Sequence, residues 1–428
     1  MKGNVVIIGG GVAGMQASLD LADMGFTAYL VEREPTIGGK MALLDKTFPT
    51  NDCAMCILAP KMNECYRHPN IKILAYSEVN DVKGKAGDFK VKVLRKARYV
   101  DEAKCTGCAQ CIEKCPTRVP NKYNGYLDNR KAIYIPFPQA VPRSATIDKE
   151  HCLYLTKEKC GVCSKICQAK AVDYKQVDEE IELSAGAIII ATGFDLYDPS
   201  GLEEYGYGRY KNVITALQCE RLINSCGPSR GHFERPSDQK VPKTIAFIQC
   251  VGSRDLKHNP YCCGVCCMHA TKESMLIHEH HPEIEPYIFY TDLRAFGKGF
   301  QEYIDRGKKE YGIHYIRSKP GEIRENPDTK NLTIWYYDKG VKSLEVEMVV
   351  LCTTLMPSEG VKKVAEAVGV EVNEYGFFKV KDALLAPLDA RKEGIFLAGY
   401  CEAPKDIPDS VAQGSGAAMR AAQCARGG

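Results

Sequence analysis

No stretch of this chain stays apolar for the ~18 residues that a bilayer-spanning helix needs; its longest apolar runs, such as residues 186–191 and 348–351, are far shorter. Neither sign of charge dominates. Lys plus Arg number 57 and Asp plus Glu 54, a formal charge of +3 at pH 7, so there is no electrostatic case for nucleic acid or an acidic membrane as partner. The N-terminus runs from Met1-Lys2 straight into Val5-Val6-Ile7-Ile8 and then glycines. It lacks the longer apolar core and small-residue cleavage site of a secretory signal. These absences predict a soluble, cytoplasmic chain without a membrane span. What the chain has in abundance is cysteine, 21 in 428 residues. Disulfides are disfavoured in a reducing cytosol, so thiols clustered at short spacings point to metal binding or redox work.

The length allows two or three domains of roughly 150 residues. Residues 4–8 form a short β-rich apolar run, residues 12–24 have helical spacing, and residues 27–31 read as a second strand. Further strands are predicted at 71–74 and at the alternating 89–93. From about Lys104 to Val172 the texture turns to Cys, Pro, Asn and Lys without periodicity. Such a stretch cannot bury enough apolar surface to order itself, which points to an inorganic organiser. The run 187–190 then resumes the first sheet. A second unit opens with a strand at 244–249, a cysteine-rich turn and a helix at 270–281. Strands at 287–290, 313–316, 332–337 and 348–351 follow, then a strand at 394–398 and an alanine-rich helix from about Asp409. Strand–turn–helix alternation gives an α/β fold with parallel sheets. The expected division is an FAD-binding domain in three parts (1–96, 181–240, 361–428), an inserted ferredoxin-like domain (97–180) and a second nucleotide-domain-like unit (241–360).

Gly9-Gly10-Gly11-Val12-Ala13-Gly14 fits G-x-G-x-x-G. The first glycine permits a tight turn, the second lets the backbone approach a pyrophosphate, and the third lets the helix pack on the strand with its N-terminus facing the anion. Glu32, followed by Arg33, closes the second strand 18 residues after Gly14, near the ~20 expected of a ribose acceptor. A lone glycine motif is weak; a preceding strand, a following helix and a placed acid make it strong. Gly38-Gly39-Lys40 and Ala191-Thr192-Gly193 resemble features of flavoproteins of the thioredoxin reductase type, whose N-terminal fingerprint holds FAD. Gly399 and the segment 407–418, with Ile407, Ser410 and Val411 in its first turns, resemble the late strand–helix element that approaches the flavin in that family. The family usually has Asp after that glycine; here it is Tyr400.

Cys105-x2-Cys108-x2-Cys111-x3-Cys115-Pro116 is the bacterial ferredoxin run, in which three thiolates hold one cubane and the fourth crosses to another. A second group is Cys152-x7-Cys160-x2-Cys163-x3-Cys167, with Gln168 in place of the proline. Crossing the fourth cysteines assigns Cys105, Cys108, Cys111 and Cys167 to one [4Fe-4S] cluster and Cys152, Cys160, Cys163 and Cys115 to another. Zinc, the bland alternative, more commonly uses two C-x2-C hairpins. In the second unit no glycine fingerprint follows the strand. Instead Cys250 is followed by Cys262, Cys263, Cys266 and Cys267, thiols at a strand end and at a helix start whose positive end favours thiolates. The functional reading is a third cluster where a nicotinamide would sit; the alternative is a set of buried structural cysteines.

Several stretches resemble the flavin-carrying A subunit of heterodisulfide reductase. They are Phe48-Pro49-Thr50 with Asn51-Asp52-Cys53-Ala54-Met55-Cys56-Ile57-Leu58-Ala59-Pro60-Lys61, Ile135-Pro136-Phe137-Pro138-Gln139-Ala140-Val141-Pro142, Phe247-Ile248-Gln249-Cys250-Val251-Gly252-Ser253-Arg254-Asp255, Ala295-Phe296-Gly297-Lys298-Gly299-Phe300, and Lys405-Asp406-Ile407-Pro408-Asp409-Ser410-Val411-Ala412-Gln413. The resemblance spans essentially the whole chain. It implies FAD and three [4Fe-4S] clusters, the third on Cys250, Cys262, Cys266 and Cys267, with Cys263 a spare thiol competing with Cys262. It implies an electron-transfer subunit that splits electron pairs at FAD, with electron bifurcation as the family's activity. The implied partners are other subunits of such a complex, an electron-donor module, ferredoxin and a second copy of the chain. The family's N-terminal cluster domain and C-terminal ferredoxin domain have no counterpart here, so a short form is expected. The related A subunit of the quinone-interacting oxidoreductase of sulfate reducers ranks second, and a stand-alone NAD(P)H:disulfide oxidoreductase is the rival outside that group.

Cys53-x2-Cys56, with Cys65 nearby, offers a redox dithiol, against unligated buried thiols or a cluster shared with a partner. His278-Glu279-His280-His281 closes a predicted helix, where histidines favour the negative end without any metal. Cys219, Cys226, Cys352, Cys401 and Cys424 are isolated and read as structural.

Overall fold

The computed structural model describes residues 3–426. The described residues form two compact units, one of residues 3–42, 56–194 and 357–426, the other of residues 43–55 and 195–356.

The first unit is built on a sheet of seven strands. Their order is Val380–Asp382, Ala386–Ala390, Ile395–Leu397, Ala187–Ile190, Asn4–Ile8, Thr27–Glu32, Ile71–Ala75. The five from Ile395–Leu397 to Ile71–Ala75 pair in parallel. Strands covered on both faces read as unbroken apolar runs rather than alternating ones, and Ala187–Ile190 is buried at every position. Helix Val12–Asp23 follows the first strand, and helix Ile407–Ala425 lies close against it. A Cβ added at Gly414 would sit 2.6 Å from the Ala13 carbonyl oxygen, so only glycine permits this approach.

A three-stranded antiparallel sheet, Ser77–Lys85, Asp88–Arg95 and Glu179–Ala185, carries the insert. Asp88–Arg95 alternates exposed and buried residues over most of its length, the period of a half-buried strand. Its inward Phe89, Val91 and Val93 join Ile188 and Ile190 in one core. Arg95 pairs with Glu179, so the chain leaves and re-enters this sheet at adjacent positions, and the cysteine-rich segment is threaded into a hairpin. Its own core is small, from Ala97, Tyr99 and Val100 to Ile133, Ile147 and Ala171, with six cysteines packed against it.

The second unit has a five-stranded parallel sheet, ordered Val213–Thr215, Met348–Thr353, Thr244–Val251, Glu285–Tyr290, His314–Arg317. An antiparallel sheet of Glu322–Glu325, Leu332–Tyr337 and Val341–Val346 accompanies it. The predicted strand at 244–249 runs on to Val251, and the helix expected from 270 begins at Cys266 and ends at His280. Residues 195–240 were expected with the FAD domain but fall in this unit, because Val213–Thr215 pairs with Met348–Thr353 at the edge of its sheet. Helix Ala54–Arg67, with Pro60 inside it, and helix Phe300–Glu310 were not expected from the sequence. Among the described residues no helix is long and apolar enough to cross a membrane.

Candidate cofactor sites

The glycine loop has the strained backbone that its sequence demands. Gly9 has φ +112°, and a Cβ at Gly14 would be driven into the Gly9 carbonyl oxygen. A Cβ at Gly11, by contrast, would meet no atom within 4 Å. Gly9 and Gly14 are thus required by the fold itself, while Gly11 fronts open space at the N-terminus of helix Val12–Asp23, whose cap makes no side-chain hydrogen bond. The Gly10 N–H donates to Glu32 Oε2 at 2.6 Å and the Glu34 N–H to Oε1 at 2.8 Å. Burial raises the pKa of Glu32 above the ordinary carboxylate value, and these two N–H donors work against the rise. Its carboxyl is fixed at the strand end beside the loop, where a ribose acceptor is needed. Arg33 Nη1 donates to the Glu359 carbonyl at 2.5 Å.

The Gly38-Gly39-Lys40 turn folds over this loop. Gly38 N–H donates to the Gly10 carbonyl at 2.8 Å, and a Cβ at Gly39 would sit 2.9 Å from the Gly11 Cα. At the end of Ala187–Ile190, Ala191 is buried and Gly193 has φ +66°. The Thr192 hydroxyl is buried there without a hydrogen-bond partner, an orphaned polar atom that a ligand would satisfy. Gly399, at φ +76°, donates its N–H to Gln413 Oε1 at 2.7 Å and faces Ala13 and Ser410. Ile407, Ser410 and Val411 lie in the first turns of helix Ile407–Ala425, capped by Asp406, whose side chain accepts the Asp409 N–H. Tyr400, which follows Gly399, packs its ring on Phe194, centroids 4.8 Å apart. The first-unit residues expected to hold FAD thus converge on one loop–helix junction, and the residues present fit a dinucleotide.

The eight thiols of the insert sort into two neighbourhoods. Cys115, Cys152, Cys160 and Cys163 line a single cavity with Tyr154 and Tyr174. Burial first, and then the proximity of Cys105, Cys163, Cys108 and Cys167, raises Cys111 to about 12. Cys163 Sγ lies 2.9 Å from Tyr174 Oη, and Ala171 N–H donates to Cys167 Sγ at 3.3 Å. Both loops use left-handed backbone, at Gly107 and Ala109 in one and at Cys160 and Gly161 in the other. Gathered thiolates repel one another unless a cation compensates them, so the donor set suits an iron–sulfur cluster.

In the second unit, the register of Thr244–Val251 against Met348–Thr353 shifts between Ile248 and Val251, and Cys250 has φ +59°. A bulge of this kind re-aims a side chain. Cys266 Sγ makes hydrogen-bonding contact with those of Cys250, Cys263 and Cys267. Cys262 is half-buried and accepts the Gly264 N–H at 3.4 Å. Gln249 Oε1 accepts from Cys267 Sγ at 3.4 Å, Arg294 N–H donates to the same sulfur, and Arg254 is hydrogen-bonded to Cys250. Cys263, expected as a spare thiol competing with Cys262, is in contact with Cys266 and so lies inside the group.

A model of the pyridine nucleotide-disulphide oxidoreductases matches residues 3–230, more than half of the chain. The chain belongs to that family. Within it, the chain is similar to the A subunit of the H(2):CoB-CoM heterodisulfide,ferredoxin reductase of Methanothermobacter thermautotrophicus, 50% identical over 421 residues, covering 97% of this chain and 63% of the relative. It is likewise similar to an iron–sulfur A subunit of the CoB–CoM heterodisulfide reductase of Methanopyrus kandleri, at 54% identity and the same coverage. The chain thus spans less than two thirds of the length of these relatives. Among solved structures, T. acidophilum thioredoxin reductase matches with a TM-score of 0.54 at 15% identity, covering 98% of this chain and 97% of that one. This last likeness concerns the fold alone. The expected resemblance and the thioredoxin-reductase-like α/β class therefore both hold.

Cys53 and Cys56 are both disulfide-bonded, at the start of helix Ala54–Arg67, whose Leu58 and Met62 lie against Gly38. Cys65, on the same helix, is fully buried, and burial above all raises its thiol to about 12.

Sequence reasoning missed a buried ionic group in the second unit. Lys272 Nζ donates to Glu220 Oε1 and, at 3.0 Å, to the Lys46 carbonyl. Asp45 N–H donates to Glu220 Oε2 at 2.9 Å. His269 Nε2 lies 2.9 Å from Glu273 Oε1, and burial pushes the Glu273 carboxyl up to about 7 against the opposing pull of His269. The only signal in the sequence was His269, Lys272 and Glu273 on a helix of otherwise apolar surroundings.

Proposed function

We propose that this chain is the FAD- and iron–sulfur-carrying electron-transfer subunit of a heterodisulfide reductase-like complex in the cytoplasm. The observation that carries the reading is the set of thiols around the Cys250 bulge, at the strand end where a nicotinamide-binding member of the family has its second glycine loop. Gly9, Gly10, Gly11, Val12, Ala13 and Gly14 would cradle the FAD pyrophosphate, and Glu32 with Arg33 would hold the ribose. Gly39, Lys40, Ala191, Thr192, Gly193, Gly399, Ile407, Ser410 and Val411 would surround the rest. Cys105, Cys108, Cys111 and Cys167 would hold one [4Fe-4S] cluster, Cys115, Cys152, Cys160 and Cys163 a second, and Cys250, Cys262, Cys266 and Cys267 a third. Bound FAD exchanges electrons in pairs or singly, whereas iron–sulfur centres carry one at a time. The chain's own contribution is to hold these carriers in dry, fixed surroundings that set their potentials. The names of the relatives support an assembly with further subunits and ferredoxin. An electron-donor module and a second copy of the chain would complete it, with splitting of electron pairs as its activity.

The disulfide at Cys53 and Cys56 favours a second reading, an NAD(P)H:disulfide oxidoreductase; a quinone-module subunit of the sulfate-reducer type is a variant of the first. Anaerobically isolated chain is expected to carry about twelve irons per flavin, four for each cluster. NADH or NADPH added without partners is expected to leave the flavin oxidised. Prompt bleaching of the flavin by either nucleotide would hand the case to the second reading. Thr192→Val is expected to lower flavin occupancy at limiting FAD while leaving the melting temperature of the flavin-free chain in place, since its hydroxyl has no hydrogen-bond partner among the described residues.

A further inference from the structure

The two thiol groups of the insert differ in their polar neighbours. In one, Cys167 Sγ accepts a backbone N–H, that of Ala171, at 3.3 Å. In the other, a side-chain hydroxyl reaches a sulfur: Tyr174 Oη stands 2.9 Å from Cys163 Sγ. The tyrosine follows a segment pinned to the start of the insert. Asp101 N–H donates to the Ala171 carbonyl at 2.6 Å and Asp173 N–H to the Tyr99 carbonyl at 3.0 Å, while Val172 bridges Val100. The Tyr174 ring stacks on Tyr154, centroids 3.9 Å apart and planes 23° from parallel. Tyr154 in turn lies against Gly161, where an added Cβ would come 3.5 Å from its Cδ2. Tyr154 belongs to the turn Leu153–Lys157, capped by Cys152, and Gly161 caps the turn Val162–Ile166 that carries Cys163. Backbone pairing and ring packing thus hold the hydroxyl at the sulfur.

We propose that Tyr174 is a positioning residue whose hydroxyl donates to the Cys163 thiolate and raises the reduction potential of the cluster on Cys115, Cys152, Cys160 and Cys163. This rests on the reading of iron–sulfur clusters in the insert. A cluster-bound cysteine carries no proton, so its sulfur can only accept. A phenol, whose ordinary pKa is about 10, keeps its proton at neutral pH, and burial raises that of Tyr174 further. The direction of the hydrogen bond is therefore fixed. Reduction adds one negative charge, shared among the irons and sulfurs. A donor aimed at a sulfur favours that added charge, and hydrogen bonds to the sulfurs are among the features that set such potentials. No bond to iron is made or broken, and no proton leaves the tyrosine. An electron in the insert is thereby biased toward the cluster beside Tyr174.

The test uses the whole chain, isolated anaerobically with its irons, as Cys163→Ala, Tyr174→Phe and Tyr154→Phe. Cys163→Ala is expected to lose about four irons, and with them one wave of an EPR-monitored redox titration; the lost wave belongs to this cluster. Tyr174→Phe keeps the ring and its stack on Tyr154. It is expected to keep the parent's irons and to move that wave alone to lower potential, by about 59 mV for a tenfold change in the ratio of reduced to oxidised cluster. Tyr154→Phe removes the other hydroxyl of the same stack and is expected to leave the wave in place. An unmoved wave in Tyr174→Phe, or an equal shift in Tyr154→Phe, overturns the proposal alone. Loss of iron from Tyr174→Phe makes the hydroxyl a structural support and overturns it as well. A Cys163→Ala chain with the parent's full iron content and every wave overturns the reading of this cluster, and the proposal with it.

Discussion

Gly14→Ala is expected to give a chain that holds almost no flavin and folds poorly, whereas Gly11→Ala is expected to fold normally and still lose flavin. The two positions belong to one motif, and the structure separates them. A methyl at Gly14 has nowhere to go but into the Gly9 carbonyl oxygen. Relief requires helix Val12–Asp23 to lift from the strand Asn4–Ile8, and overpacking of this kind costs about 1–3 kcal/mol or more. That helix is also packed against Ile407–Ala425 at Gly414, so the displacement spreads to the second element proposed to hold FAD. At Gly11 the added methyl meets no atom of the described residues within 4 Å. Its cost appears only when a pyrophosphate approaches the helix N-terminus. Flavin absorbance at limiting FAD should fall tenfold or more in both, a loss of about 1.4 kcal/mol at least. The melting temperature of the flavin-free chain should fall in Gly14→Ala alone. Normal flavin content in Gly11→Ala would refute the placement of the anion.

Lys272→Met is expected to destabilise the second unit by about 3–5 kcal/mol, the cost of leaving one member of a buried ion pair without its counter-charge. Lys272 is 1% and Glu220 0% exposed. Burial by itself would push the Glu220 carboxyl up, but Lys272, His269 and the Asp45 N–H outweigh it and hold it below the ordinary carboxylate value. A carboxyl depressed by folding contributes stability above its unfolded pKa and loses it as pH falls through the folded one. The gap between parent and variant should therefore be widest near neutrality and close in acid. The double variant Glu220→Gln with Lys272→Met should recover most of the loss, because Gln still accepts the Asp45 N–H and no bare charge remains. Denaturant unfolding followed by Trp335, the chain's single tryptophan and part of this unit's antiparallel sheet, reads the effect directly. A midpoint in Lys272→Met equal to the parent's would show that the pair does not hold this unit together.

The same contrast between residues explains which features were legible in the amino-acid order. The glycine loop was legible because its constraint is local: Gly9, Gly14 and Glu32 lie within one strand–helix–strand unit, and their spacing is dictated by backbone geometry. The insert's thiols were legible because they stand at short, fixed intervals along the chain, the spacing that a chain wrapped on a cubane would need. Asp88–Arg95 declared itself by alternation and Ala187–Ile190 by continuous apolarity, each reporting how many of its faces are covered. Helix Ala54–Arg67 was hidden because Pro60 and scattered polar residues blur its period. Residues 195–240 were misplaced because the strand Val213–Thr215 is three residues long and carries no mark of which sheet it joins.

By itself, then, the amino-acid order determined the α/β class, the glycine loop and the short spacing of the insert's cysteines, all properties of residues near one another along the chain. Only the tertiary structure decided that Cys263 enters the thiol group at the Cys250 bulge. It alone joined Glu220 to Lys272, which are 52 positions apart, and assigned residues 43–55 and 195–240 to the second unit. The reason is physical. A local motif is enforced by bonded geometry and short-range sterics, which every copy of the sequence carries with it. Which of two neighbouring side chains turns inward, and which distant charge meets it, is settled by the competition of the whole core for space and for the removal of water.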